Sequence, residues 1–212
     1  MQADKITLTD LAIFNTDEEF SLFHKINFTK TQAGREWLRR YFQEPHSTLE
    51  KIGSTQRILQ LILDRLPEWP SEISNGTVIM IDKFLDYNLD PVPEPLNPVN
   101  SLGYKVFSSA DYSMVQFSIS HFADFYRGLS KLVALFGDAE PSPQFAAQLQ
   151  KIKTCLAEAP LLQLSKLPAN SKLSRQQNLF YARNMRTAYR SATIELIDVY
   201  GRLEAWYSMA LA

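Results

Sequence analysis

Apolar residues recur with helical spacing along almost the whole chain, and this periodicity constrains the fold more than any other feature. The pattern predicts successive helices that begin near Thr31, Ser47, Gly76, Ala110 and Ser142. Six of the eleven prolines lie between residues 67 and 100, where the segment 90–95 alternates with proline and predicts an extended connection. We therefore expect an all-α fold, with capping boxes at Thr16–Glu19 and Ser47–Glu50.

The longest periodic pattern lies at the C-terminal end. Between Leu173 and Ala212 the apolar side chains fall within an arc of about 120° when residues are placed 100° apart, and no proline interrupts them. A single helix of forty residues would be about 60 Å long. We expect it to form a projecting antiparallel pair with the helix before it, so that residues 1–140 make a packed helical base and residues 141–212 make the pair. Because the pattern reaches Ala212 without a C-cap, we expect the chain to belong to a longer protein.

The glycine content excludes the common nucleotide-binding loops. The chain has seven glycines, and no two of them are closer than nine residues. A loop whose backbone N–H groups surround a phosphate needs clustered glycines, so neither of the usual motifs fits anywhere. No residues suggest a catalytic centre, so we expect the chain to have no catalytic residue, bound cofactor or metal of its own.

The net charge of −1 excludes a globally basic nucleic-acid binder, but the charge is unevenly distributed. Between Gln144 and Arg190 there are eight lysines and arginines against a single acidic residue, Glu158. Four of the arginines fall within about 80° of one another on one helix face. With a nearby lysine they form the basic stripe, our candidate DNA contact: Lys172, Arg175, Arg183, Arg186 and Arg190. The alternative interpretation is a solvated helix face without a partner.

Other polar residues give weaker signals. His121 and Asp124 lie three residues apart but lack a third metal ligand, and Cys155 lies among apolar residues that favour a buried position. No apolar run approaches the length of about 18 residues that a membrane span needs. The N-terminus lacks the apolar stretch of a signal peptide. Because a single cysteine cannot form an internal disulfide, we expect a cytoplasmic protein.

Two separated segments carry a family resemblance. The first contains Asp10-Leu11-Ala12-Ile13, then Ser21-Leu22, then Thr29-Lys30-Thr31-Gln32-Ala33-Gly34-Arg35-Glu36-Trp37-Leu38-Arg39, and finally Pro45 and Ile52. The second is Tyr200-Gly201-Arg202-Leu203-Glu204-Ala205-Trp206-Tyr207-Ser208-Met209-Ala210. In order and spacing they resemble the start and end of the core, or lever, domain of the MutS family of DNA mismatch-repair proteins. The motif residues are Thr29, Thr31, Gly34, Arg35, Leu38, Arg39 and Pro45.

The resemblance implies a lever domain that couples an ATPase domain, with its ATP and Mg²⁺, to DNA within a homodimer. The chain departs from the family pattern in four places: Asp10 and Ala12 stand where the family has Asn and Glu, Thr55 where it has Arg, and Glu204 where it has Asp. Only a short stretch, between about Pro160 and Leu173, separates the predicted lever helices, where the family has a large DNA clamp. Because only nine residues precede Asp10, we also expect no mismatch-recognition domain before the first motif. We therefore expect a MutS-like core without these two parts, acting in mismatch repair or in recombination control.

The same residues leave room for other roles. The motif predicts a packing corner in which Thr31 caps a helix, Gly34 allows a close approach, and Trp37 and Leu38 enter the core; its arginines could instead contact an ATPase domain. One rival to the MutS-like function is a protein-interaction scaffold whose basic helix tip binds an acidic partner. Another is a helical bundle that binds a small ligand in an apolar pocket.

Overall fold

The protein is all-helical in the part that the structure, a computed structural model, describes: residues 11–14 and 20–212. No strand occurs in these residues, so the all-α prediction is confirmed. Their ten α-helices are α1 (Leu22–Ile26), α2 (Gln32–Gln43), α3 (Leu49–Leu63), α4 (Asn75–Asp86), α5 (Pro98–Phe107), α6 (Ser109–Leu135), α7 (Pro143–Leu156), α8 (Ala159–Ser165), α9 (Arg175–Arg186) and α10 (Arg190–Leu211). None of the helices described is both long enough and apolar enough to cross a membrane.

The chain divides into two compact units, each built from separate stretches of sequence. The first comprises Met1–Trp69, Leu132–Ile152 and Ile197–Ala212, and the second comprises Pro70–Lys131 and Lys153–Leu196. Each of the two predicted ranges, 1–140 and 141–212, contributes residues to both units.

The core of the first unit is rich in aromatic residues. Phe23, Leu38 and Ala205 form a buried cluster. The ring of Trp206 stacks on Tyr41 with centroids 5.9 Å apart, and Phe145 lies against the same tryptophan at 5.9 Å. Each buried side chain of this size contributes about 1.5–3 kcal/mol through the hydrophobic effect, so this cluster anchors α2 against the C-terminal half of α10.

The core of the second unit is built on α6. Phe122, Phe125, Tyr126 and Leu129 on this helix are all fully buried. The Tyr126 hydroxyl shares a hydrogen bond of 2.7 Å with the Thr193 hydroxyl and lies 3.5 Å from Met185 Sδ, so this buried polar group is satisfied. Burial raises the pKa of Tyr126 well above that of a free tyrosine.

Several predicted helix starts are confirmed and one is displaced. Helices begin after Thr31 and Ser142 as expected, and Thr31 is the N-cap of α2. The N-cap of α3 is Thr48 rather than Ser47, and its hydroxyl accepts the N–H of Lys51 at 3.3 Å. The capping box predicted at Thr16–Glu19 lies outside the described residues.

The predicted single helix from Leu173 to Ala212 is wrong, because the backbone leaves the α-helical ladder between Arg186 and Arg190. The N–H of Tyr189 bonds to the carbonyl of Asn184, five residues earlier, and the Thr187 hydroxyl donates to the carbonyl of Arg183 at 2.8 Å. The Tyr189 bond departs from the regular i to i−4 pattern and residues 187–189 form a turn, so α9 and α10 are separate helices. The predicted continuous rod is therefore replaced by two shorter helices, and the longest helix described is α6, with 27 residues.

Two helices were not predicted. The first, α5, begins at Pro98, with the Asn97 side chain as N-cap accepting the N–H of Asn100 at 2.8 Å. Proline suits the first position of a helix because its missing N–H has no intrahelical partner there. The second, α8, begins beside Pro160 and has seven residues.

Candidate nucleic-acid interface

The two segments that carry the family resemblance meet at one point in the first unit. The buried carboxylate of Glu204 on α10 accepts the N–H of Lys30 at 2.9 Å and the N–H of Thr31 at 3.2 Å. It also accepts a hydrogen bond from the Thr31 hydroxyl. That hydroxyl in turn accepts the N–H of Gly34 at 3.1 Å. We call this arrangement of Thr31, Gly34, Gly201 and Glu204 the motif corner.

The motif corner places a carboxyl group at the N-terminus of α2. The first N–H groups of a helix have no intrahelical partner, and the helix dipole favours an anion there. The side chain of Glu204, from the C-terminal part of the sequence, therefore caps the N-terminus of α2. Burial raises the pKa of this carboxyl, and the hydrogen bonds from Thr31 and Lys30 oppose that rise without cancelling it.

Two glycines allow the helices of the motif corner to approach each other. A Cβ atom on Gly34 would overlap with the Glu204 carboxylate. A Cβ on Gly201 would lie 2.7 Å from the backbone carbonyl carbon of Ala33. A larger residue at Gly34 would therefore displace the Glu204 side chain, and a larger residue at Gly201 would push α10 away from the backbone at the start of α2.

The other motif residues surround the motif corner. Leu38 is fully buried, and Trp37 is only partly buried. The guanidinium groups of Arg35 and Arg39 lie over the Phe23 ring, at 5.9 and 5.2 Å from its centroid. Thr29 donates its hydroxyl to the Asn27 side chain at 2.6 Å. Pro45 lies just after α2, where the structure leaves it exposed.

Trp37 shows how α2 and α10 are joined beyond the motif corner. Its indole N–H donates to Asp198 Oδ1 at 2.7 Å. Its ring lies between two arginines, with the guanidinium carbon of Arg202 4.0 Å and that of Arg40 4.3 Å from the ring centroid. Cation–π contacts at partly exposed sites contribute about 0.5–1 kcal/mol each.

The basic stripe divides into two groups in the second unit. Arg183 forms an ion pair with Glu94. Arg186 donates to the carbonyl of Phe84 at 3.5 Å and lies over the Phe84 ring. Arg190 donates to the carbonyl of Leu85 and, at 2.9 Å, to Asp86 Oδ1. These three arginines therefore hold the C-terminal end of α4 and the proline-rich segment in place.

Lys172 and Arg175 lie elsewhere, on a concave surface. Together with Lys105 of α5 they line a cavity of about 440 Å³ at the N-terminus of α9, where Ser174 is the N-cap. Among the described residues no carboxylate lies within ion-pair distance of any of these three cations. A second cavity, of about 420 Å³, adjoins the first, and the two share Gln116, Lys172 and Leu173. We call the two cavities together the second-unit groove.

Sequence reasoning missed two residues of this groove. Lys105 lies on α5, a helix that was not predicted because the segment before it is rich in proline. Phe117 lies on α6 but outside its buried face, and its side chain is 55 % exposed. The signal in the sequence was an aromatic residue on the polar side of an amphipathic helix, which the assignment of aromatic residues to the core overlooked.

The remaining titratable residues occupy structural positions. His121 packs edge-on against the Phe117 ring at 4.7 Å, and burial lowers its pKa although Asp124 opposes the change. Cys155 was expected to be buried and is only half-buried. In the part of the chain that the structure describes, no three His, Cys, Asp or Glu side chains are close enough together to hold a metal ion.

Comparisons with protein-family models, with curated proteins and with solved structures find no match to this chain.

Proposed function

We propose that this chain is the core, or lever, domain of a MutS-like DNA-binding ATPase. In this proposal an ATPase domain of the same protein binds ATP and Mg²⁺, the protein acts as a homodimer in the cytoplasm, and the chain passes the ATP-driven change to DNA. The chain itself carries no catalysis. The DNA is mismatched or branched duplex, in mismatch repair or in recombination control.

The motif corner is the observation that carries this proposal. The resemblance rests on two short segments near opposite ends of the sequence, and chance similarity gives no reason for them to touch. Thr31 and Gly34 from the first segment contact Glu204 from the second through hydrogen bonds and close packing. Glu204 stands where the family has aspartate, and its longer carboxylate still reaches the start of α2.

A lever must transmit movement without bending, and the length and packing of α10 suit this role. Its 22 residues span about 33 Å at 1.5 Å per residue. Glu204, Trp206 and Gly201 join its C-terminal half to α2 through hydrogen bonds, ring stacking and backbone contact. Displacement of α10 therefore carries the start of α2 with it, as expected for a packed rigid body.

DNA binding and its salt dependence test this proposal. The chain is titrated against labelled perfect duplex, mismatched duplex and a four-way junction at about 50 and 200 mM salt. Phosphate contacts release counterions, so we expect affinity to fall steeply between the two salt concentrations. We also expect the junction or the mismatch to bind more tightly than perfect duplex. No binding of any of the three DNAs at the lower salt concentration contradicts the proposal.

One observation favours a second candidate function, a protein-interaction scaffold. Helix α5 exposes an apolar face in which Val99 is 76 % exposed, Val106 is 62 % exposed and Phe107 is 90 % exposed. Contiguous exposed apolar surface is typical of protein contacts. This function predicts that the chain binds no DNA in the titration above, and that Phe107→Asp abolishes recovery of a partner that the unaltered chain retains.

A further inference from the structure

The second-unit groove is a surface where cations and an exposed aromatic ring lie together. It is lined by α6, by α5 at one end, and by the segment 167–173 with the start of α9. Its two adjoining cavities differ in chemistry, since one end is cationic and the other combines an exposed aromatic ring with neutral polar side chains. A ligand that spans both ends must therefore carry an anionic group beside a flat, partly polar group.

The cationic end fits a phosphate group. Lys105, Lys172 and Arg175 line it, and none of the residues lining this cavity is acidic. The first N–H groups of α9 lie at the same end, and helix N-termini favour anions. The arginines of the basic stripe that are already paired, Arg183, Arg186 and Arg190, line neither cavity.

The aromatic end fits a nucleobase. The Phe117 ring is more than half exposed at the cavity wall, with Ser113, Gln116 and Ser120 beside it on α6. Asn178 lines the same cavity; it is only 2 % exposed and its side chain donates to the carbonyl of Leu173 at 3.3 Å. Bases stack on exposed aromatic rings, and amide and hydroxyl groups bond to base edges. Arg127 and Asp124, at the far end, pair with each other and leave that end without net charge.

We propose that the second-unit groove binds a nucleoside phosphate, with its base on Phe117 and its phosphate between Lys105, Lys172 and Arg175. The ligand is an unpaired nucleotide of a nucleic-acid strand or a free mononucleotide, because both present the same two groups. This inference deepens the proposed DNA contact and rests on it for the strand form. A paired nucleotide does not fit, because its base is stacked within the duplex and cannot lie on Phe117.

Fluorescence anisotropy with a labelled oligo(dT) strand tests the inference in the full chain. The charge variant is Lys172→Ala with Arg175→Ala, and its control is Lys83→Ala with Lys153→Ala, which removes two exposed lysines outside the groove. The ring variant is Phe117→Ala, and its control is Phe107→Ala, which removes an aromatic ring that is still more exposed. All four variants change surface residues, and circular dichroism checks that each is folded.

We expect the charge variant to bind oligo(dT) at least about ten-fold more weakly, with a slope of log affinity against log salt reduced by about 1.4. We expect Phe117→Ala to bind about ten-fold more weakly, and both controls to bind like the unaltered chain. Thymidine monophosphate that displaces the strand at lower concentrations than inorganic phosphate supports recognition of the base. If thymidine monophosphate binds and oligo(dT) does not, the ligand is the free nucleotide.

Equal binding by Phe117→Ala and the unaltered chain overturns the inference, and so does a charge variant that behaves like its control. Inorganic phosphate that competes as well as the mononucleotide also overturns it, because the base then contributes nothing. The proposed function is tested separately: it fails, and the inference stands, if oligo(dT) binds but neither the duplex DNAs nor the junction bind. Conversely, the inference fails and the proposed function stands if neither oligo(dT) nor thymidine monophosphate binds to the unaltered chain while the junction binds equally well to the unaltered chain and to both groove variants.

Discussion

At the scale of single residues, Glu204 does the most to join distant parts of the sequence. Its carboxylate is buried, and it accepts hydrogen bonds from two backbone N–H groups and one hydroxyl at the start of α2. An apolar side chain at this position would leave these N–H groups buried without partners. Unsatisfied buried donors cost about 1–3 kcal/mol each.

Replacement of Glu204 should reveal its ionisation. The folded protein raises the pKa of this carboxyl above the value near 4.5 that applies to the unfolded chain. The folded state therefore binds the proton more tightly, so the stability from this group is greatest below the unfolded pKa and is lost as pH rises through the folded pKa. Glu204→Gln does not titrate. We expect the unfolding free energy of the unaltered chain, relative to that of Glu204→Gln, to fall as pH rises above about 4.5.

Urea unfolding of both proteins between about pH 4 and pH 7 measures this difference. Glu204→Ala, in the same series, should be less stable than Glu204→Gln at every pH, because the amide still accepts a hydrogen bond from the start of α2. A difference between the unaltered chain and Glu204→Gln that stays constant with pH would contradict the assigned pKa direction.

At the scale of elements, the fold depends on two helices that approach closely at glycine. Gly201→Ala would place a Cβ 2.7 Å from the backbone of Ala33, and backbone atoms cannot move aside cheaply. We expect Gly201→Ala to lower the unfolding free energy by about 1–3 kcal/mol. Gly53→Ala is the matched control, because no atom lies within 4 Å of its added Cβ in the interior of α3.

Thermal and urea unfolding compare the two glycine variants. Alanine is the better helix former, so Gly53→Ala should be neutral or more stable by about 0.5–1 kcal/mol. If Gly201→Ala were as stable as Gly53→Ala, the close contact between α10 and the start of α2 would be wrong.

Arg183, Arg186 and Arg190 are expected to stabilise the second unit. Arg190 bonds to the carbonyl of Leu85 and to Asp86 at the C-terminal end of α4, where carbonyls lack intrahelical partners. We expect Arg190→Ala to cost about 1 kcal/mol, since its side chain is 39 % exposed and solvent weakens the ion pair. Arg175→Ala removes a groove cation that pairs with no carboxylate of the described residues, so it should leave stability within about 0.5 kcal/mol of the unaltered chain.

Urea unfolding measures the stability of Arg190→Ala and Arg175→Ala. In the oligo(dT) titration we expect the larger effect from Arg175→Ala and not from Arg190→Ala. Arg190→Ala should retain strand binding, and Arg175→Ala should lose part of it. If Arg190→Ala were stable but lost strand binding, the DNA contact would include the arginines of the basic stripe that this account assigns to stability.

The helical elements were predictable wherever apolar periodicity and capping residues agreed. Thr31 and Pro143 marked helix starts that the structure confirms. Periodicity failed between Arg186 and Arg190, because it reports which face is buried and not whether the hydrogen-bond ladder is continuous. The groove was hidden for a similar reason: Lys105 and Lys172 are far apart in sequence, and only packing within the second unit brings them to one cavity.

At the scale of the whole molecule, the two units carry different parts of the account. The first unit holds the motif corner, and the second holds the groove with its cluster of cations. The net charge of −1 gives no overall attraction to DNA, so the proposed DNA binding requires a local cluster of cations. The glycines are too dispersed for a phosphate-binding loop, so the ATPase activity of the proposed protein must come from another domain.

The central claim, a lever domain in a DNA-dependent ATPase, is tested most directly by ATP hydrolysis. The protein is tagged at its own gene and purified under native conditions from the cells that make it. Hydrolysis is then measured without DNA, with perfect duplex and with a four-way junction, beside a mock purification from untagged cells. We predict that the protein hydrolyses ATP above the level of the mock purification and that the junction changes this rate several-fold. We also predict that Gly201→Ala, at the motif corner, alters the rate. Hydrolysis no higher than in the mock purification, or equal with and without DNA, would contradict it.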